Sequence, residues 1–309
     1  MSDQHNPPET AKAEPQRFEA EEGAPTPTTP ETVGRAAEPW ERAGDPAELG
    51  ADQLSARYLV ALADDALVYA QRLGEWISRA PQIEEDMALG NVALDLVGQA
   101  RALYARAGEL DAGMLPGVQE LAEDDLAYFR TDREFRNVWL VEQPRGDFGY
   151  EMVRMLWFSA YQHALYSAIV RTEGADAELV AIARKAVKEV EYHRDHAAQW
   201  VIRLGDGTDE STRRTMAGLQ AVEPFVPELF ADDAVAVAAA DRGLAALPST
   251  LREPAEQFVT AVLQQAGLER PQAGRWTAAG GRVGEHSEQL GYLLAEMQSV
   301  ARAHPGASW

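Results

Sequence analysis

Histidines and carboxylates recur at helical spacing along this chain, the pattern by which a helix bundle can hold metal ions. Glu84, Ala88, Asn91, Asp95, Gly98, Ala102 and Ala105 step by four and three, so they share one helix face. Asp95 sits inside the apolar run from Val92 to Val97 and is expected to be buried. There it needs a partner, because an unpaired buried carboxylate is costly. Ala183, Ala186, Val190, His193, Ala197, Trp200 and Leu204 form a second stripe, with Glu189 one turn before His193 and His196 three residues after it. His163 aligns with Met152, Ser159, Tyr166 and Val170, and Asp64 and Asp65 fall between Val60 and Leu67.

A carboxylate-bridged di-iron centre takes a Glu from each of two helices and a Glu-x-x-His from each of two others, because i, i+3 spacing puts both ligands on one face. The corresponding triplets here are Asp95-x-x-Gly98 and Val190-x-x-His193, with glycine in a histidine slot and valine in a glutamate slot. Glu189 and His193, at i, i+4, could still converge on one ion. A bridged pair would nonetheless lack a nitrogen ligand on the earlier helix. Asp65, Asp95, Gly98, His163, Glu189, Val190 and His193 therefore read as a degenerate metal site, with no metal held and no catalytic residue. Three of these have a plainer reading: His193 as a satisfied core histidine, Asp95 as a hydrogen-bond acceptor or ion-pair partner, Gly98 as a point of close helix approach. Glu84, Glu85 and Asp86 suit the start of a helix, where acids complement the dipole.

The elements that must position these residues are helices. Residues 54–79 and 82–110 form one long antiparallel pair, and residues 150–173 and 176–204 a second. A short helix at 118–128 and an irregular stretch through Gly149 connect the pairs, and further helices are expected at 211–230, 251–266 and 285–303. Strand-like alternation is nearly absent. Two long pairs joined by one long connection make an all-α, ferritin-like four-helix bundle with a long crossover, extended by C-terminal helices. Residues 1–50, rich in Pro, Glu, Ala and Thr, cannot offset their ordering entropy and are expected to be a disordered tail, leaving 51–309 as the folded domain.

Composition removes other classes. The 309 residues include no cysteine, which excludes disulfides and thiolate metal sites. No apolar run reaches the length of a membrane span, no secretory signal is visible, and a cytoplasmic location is the expectation. The formal net charge of −22 repels nucleic acid and anionic lipid. No phosphate loop, nucleophile elbow or His-Glu-x-x-His occurs. The run from Gly280 to Gly284 is expected to be a flexible lead into the last helix. Against the acidic background, Arg130, Arg133 and Arg136 stand out, since arginine suits phosphate recognition. The alternative pairs them with Asp132 and Glu134.

Longer blocks of sequence carry a resemblance. Gln71 to Trp76, Asn91 to Arg101, Leu140 to Pro144, Lys188 to His193, Arg203 to Thr208, Gly284 to Gly291 and Leu294 to Gln298 resemble, in order, the C-subunit family of the bacterial ring 1,2-phenylacetyl-CoA epoxidases. The resemblance covers residues from about Ser55 to Trp309. It implies a ferritin-like, non-catalytic subunit in aerobic phenylacetate breakdown that stabilises a related di-iron A subunit. Iron and most of the phenylacetyl-CoA contacts are expected in that partner, with a small B subunit and a reductase completing the system. Arg133, Glu134, Phe135, Arg136 and Asn137 are candidates to reach the coenzyme A phosphates across the subunit boundary. The competing reading is an active di-iron oxygenase using Asp65, Asp95, Glu189, His163 and His193.

Overall fold

The computed structural model describes residues 45–115, 121–272 and 274–307, all within the second of the chain's two units, Ala37–Trp309. Of the expected tail, residues 1–44 lie outside the described residues. Its last part does not: Asp45 caps a short turn at Pro46–Glu48, and Arg242 donates to the carbonyls of Ala47 and Leu49 at 2.6 Å.

The helices are α1 (Ala51–Gly74), α2 (Ile83–Leu110), α3 (Glu123–Tyr128), α4 (Trp139–Glu142), α5 (Phe148–Arg171), α6 (Ala177–Gly205), α7 (Asp209–Val222), α8 (Val226–Leu229), α9 (Ala234–Asp241), α10 (Arg252–Gln265), α11 (Glu288–Met297) and α12 (Ser299–Ala303). No strand occurs among the described residues. Helices α1 and α2 pair, α5 and α6 pair, and α2 meets α6, which gives the four-helix plan with the crossover between α2 and α5.

Local chemistry sets the boundaries. Asp147 caps α5 by accepting from Tyr150 N, and Asp176 caps α6 by accepting from Glu178 N and Leu179 N. The first helix stops at Gly74, short of the expected 79, and the chain turns through Ser78 at φ 64° before α2 begins. The helix expected at 211–230 is divided: Pro224 cannot donate within a helix, and a 3-10 turn at Glu223–Phe225 separates α7 from α8. The last helix is divided at Gln298, whose buried amide donates to the carbonyls of Ala127 and Arg130. Helix α9 is an addition to the expected set; its Ala and Val run lacks a polar face to set a period.

Helix α5 carries the core. Most of its residues from Gly149 to Tyr166 are buried, because α1 and α6 flank it while α7 and α10 roof it. A helix apolar on every side belongs inside. Phe158 meets Tyr69 of α1 edge to face, with ring centroids 5.0 Å apart. At Gly218 a β-carbon would come 2.8 Å from Tyr150 Cα, so only glycine lets α7 cross α5 this closely.

Candidate functional site at the bundle centre

The interior face of α2 is not the one its polar residues trace. Leu89, Val92, Leu96, Gln99, Leu103 and Ala107 are buried, while Glu84, Asn91 and Gly98 are exposed. The Asp95 face is a flank turned toward α6, and the Asp95 side chain is 39% exposed rather than buried. The α6 stripe matches the expectation from Ala183 to Ala197, with Val190 and His193 buried.

Polar pairs zip α2 to α6. His193 Nε2 lies 3.0 Å from Asp95 Oδ2. Gln99 Nε2 donates to Glu189 Oε2 at 3.1 Å, and Gln99 Oε1 accepts from the Tyr166 hydroxyl at 3.2 Å. Arg106 closes the far end on Asp176 at 2.7 Å. At the near end His196 Nε2 is 3.0 Å from Glu85 Oε2, but both atoms are off the line of a hydrogen bond and have no hydrogen-bond partner among the described residues. Gln99 is absent from the expected site because the polar positions of α2 trace a stripe one position away; its place between Leu96 and Leu103 is the signal that could have found it.

The candidate metal positions are thus dispersed. Asp65 is held by Arg282 Nη2 at 2.6 Å and Val138 N at 2.9 Å. Glu189 is shared between Gln99 and Lys185, the latter at 3.2 Å, and does not converge with His193. His163 faces away from the centre, beside Arg194 at 3.1 Å and toward α10. Gly98 has open space where a β-carbon would be, so it serves no helix approach within the chain. No three acidic or histidine side chains meet closely enough to share an ion among the described residues. A di-iron centre does not fit this arrangement, since Gly98 lies on the outer side of α2, Val190 offers no ligand atom, and Asp65, Asp95 and Glu189 are each engaged with a different side chain.

Burial pushes the His193 imidazole below its ordinary pKa, against the upward pull of Asp95. Burial and Arg194 do the same to His163. A depressed folded pKa means stability present above the unfolded value, about 6.5, and lost as pH falls through the folded value. Unfolding free energy is expected to decline from pH 7 to pH 5, and His193→Gln to flatten that decline. Urea titrations at both pH values check it; an unchanged slope in the variant contradicts it.

The crossover arginines also find unexpected partners. Arg130 is buried and pairs with Asp64 of α1, not with Asp132 or the Glu134 carboxylate, and donates further to the Tyr104 hydroxyl and the carbonyls of Leu126 and Glu134. Phe135 is buried under the Arg130 guanidinium, 4.2 Å from its ring centroid. Glu134 accepts from Thr131 N and Oγ1. Asn137 is buried and donates to Glu142 at 2.9 Å. Arg136 N donates to Asp64 at 2.7 Å, and its side chain is half-buried; Arg133 is exposed.

Glu142 and the C-terminal segment add a second polar cluster that residue spacing does not announce. Glu142, fully buried, also lies 2.8 Å from His286 Nδ1 and accepts from Ser287 N at 2.7 Å. The expected flexible Gly280–Gly284 segment is instead a fixed turn. Gly281 N donates to Glu228 at 2.9 Å, and Arg282 reaches Asp65 between the carbonyls of Ala61 and Arg136. A β-carbon on Gly281 would lie 2.2 Å from Asn137 O, and Gly284 has φ 83°, so glycine is required at both.

The two helix pairs, the long crossover and the paired polar groups between α2 and α6 define a ferritin-like helical protein whose centre is closed by side chains. The chain belongs to the phenylacetic acid catabolic protein family, which it matches over residues 42–309. It is 42% identical over 258 residues to the C subunit of the 1,2-phenylacetyl-CoA epoxidase of Escherichia coli (strain K12), covering 84% of this chain and all of that protein. None of the helices described is long and apolar enough to cross a membrane.

Proposed function

We propose that this chain is the structural C subunit of a cytoplasmic 1,2-phenylacetyl-CoA epoxidase, which docks on and stabilises a di-iron A subunit without doing chemistry itself. The observation that carries this is the bundle centre: Val190 fills an inward position beside His193, Asp95 and Glu189 are engaged with His193 and Gln99, and no three acidic or histidine side chains meet among the described residues. Iron and the principal substrate contacts belong to the A subunit in this reading, with a small B subunit and a reductase acting alongside.

The outer face of α2 supports the docking role. Ile83, Met87 and Leu94 are 71%, 65% and 70% exposed and lie on one side of the helix, directly opposite the core. Gly90 and Gly98 share that side and have nothing within 4 Å of an added β-carbon. Small residues without a packing reason inside the chain allow another backbone to come close, and an apolar strip of this kind marks an interface.

The test is metal content and complex mass, for the chain alone and co-expressed with its A subunit. The expected result is a complex whose iron follows the A subunit. Leu94→Arg is expected to weaken the complex by roughly 30- to 1,000-fold, the effect of about 2–4 kcal/mol at an interface centre. Two tightly held irons in the isolated chain would establish the active di-iron reading instead.

A further inference from the structure

A cleft opens beside α1, walled by the end of α2, the crossover and the start of α9, away from the bundle centre. Its volume is about 130 Å³. Val60, Met114, Leu115 and Val235 form its apolar wall, and Arg57 and Arg136 face into it. We infer that this cleft is a binding site for a small carboxylate carried on a compact apolar body, gripped by the guanidinium groups of Arg57 and Arg136.

The argument is an accounting of donors and acceptors. Two other arginines at the cleft are engaged: Arg130 through all three nitrogens, with Asp64, Tyr104 and two carbonyls, and Arg282 through both terminal nitrogens, with Asp65, Tyr161 and two carbonyls. The two acids at its rim are each engaged through one oxygen. Glu134 binds Thr131, and Asp233 caps α9 by accepting from Val235 N and Ala236 N. Arg57 makes no hydrogen bond with the described residues, and its Nε is buried without a partner. Asp111 acts on it only through space. Arg136 spends Nη1 on the carbonyls of Arg133 and Phe135, which fixes the guanidinium and leaves its Nε and Nη2 edge unspent.

What remains is therefore an excess of donors over acceptors, and an acceptor-rich ligand fits it. Burial holds both guanidiniums below their ordinary pKa; on Arg136 the charges of Asp64 and Glu134 oppose this and those of Arg130 and Arg57 add to it, and an anion between the two arginines would favour their charged forms. Planar guanidinium groups match a carboxylate bidentately. The cavity is close to the roughly 150 Å³ that accepts a benzene ring, so it takes one small ring or a short chain and excludes a whole nucleotide. The apolar wall supplies the contact for that body. This site is independent of the docking face on α2.

Titration calorimetry on the full chain tests the assignment, with benzoate as probe, benzamide as its uncharged counterpart and inorganic phosphate as the bare anion. Benzoate is expected to bind saturably, and benzamide and phosphate more weakly by about tenfold or more, the loss of one charge-assisted contact. Arg57→Gln is expected to weaken benzoate by a similar factor. Because Arg57 supports no other residue by a hydrogen bond, that variant should keep its fold, which circular dichroism checks. Leu115→Asp, which leaves both arginines in place and puts a like charge on the wall, should do the same. Benzamide binding as tightly as benzoate, phosphate binding more tightly, or benzoate affinity unchanged in Arg57→Gln would each overturn the proposal.

Discussion

Glu151→Ala is expected to remove about 3–5 kcal/mol of folding stability, because it strands a buried charge. Glu151 and Arg154 are both fully buried and paired with each other. Glu151 also accepts from the Tyr69 hydroxyl at 2.9 Å and from Trp76 Nε1 at 3.0 Å. The alanine variant leaves Arg154 facing Tyr69 and Tyr150, with the Gln143 carbonyl as its remaining acceptor. A domain holds about 5–15 kcal/mol in total, so a loss of this size consumes a third or more of it. Urea denaturation should show a lowered midpoint at an unchanged slope. Glu151→Gln, which keeps one acceptor oxygen for either Tyr69 or Trp76 and forfeits the charge, should fall between the two. A stability within about 0.5 kcal/mol of the parent, the usual effect of a surface substitution, would contradict the argument.

The second large effect is at Asp64→Ala, also about 3–5 kcal/mol. Asp64 is fully buried and holds Arg130, the Tyr104 hydroxyl and Arg136 N. Its removal leaves Arg130 enclosed by Tyr104 and Phe135. Adding Arg130→Met should restore part of the loss, since replacing both members of a buried pair by apolar groups can be nearly neutral. Restoration should be incomplete, because Arg136 N and Tyr104 still lack their acceptor. The thermodynamic cycle from the two single variants and the double variant measures the coupling. Strict additivity would mean that the pair does not interact as described.

The helix pairs are legible in the sequence because their caps and breaks are local. Asp147, Asp176 and the Gly205 to Thr208 punctuation act within a few residues of themselves. The α6 stripe is legible for the same reason: a strongly amphipathic helix announces which side is apolar. Helix α2 misleads because both of its sides carry apolar residues, Leu89 and Leu96 inward, Met87 and Leu94 outward. With no unique apolar face, its polar positions mimic an interior stripe, which puts Asp95 inside and passes over Gln99. Gly98 is misplaced with that stripe, whereas the inward place of Val190 can be read, because the α6 stripe is continuous. The partners of Asp64, Asp65 and Glu142 cannot. The pairs Asp64–Arg130, Asp65–Arg282 and Glu142–His286 each join residues more than sixty positions apart, and nothing in local spacing reveals such a pairing.

The turn at Gly281–Val283 ties the order of synthesis to the order of assembly. Asp65 leaves the ribosome early, yet Arg282, which neutralises it, follows 217 residues later. Chain elongation at about 5–20 residues per second puts roughly 10 to 40 seconds between them. Glu142 likewise waits for His286 and Ser287. Throughout that interval, burying Asp65 between the helices costs either an uncompensated charge or its protonation. A product truncated before Arg282 lacks the cation that pairs with Asp65 and is expected to be less stable than the full chain.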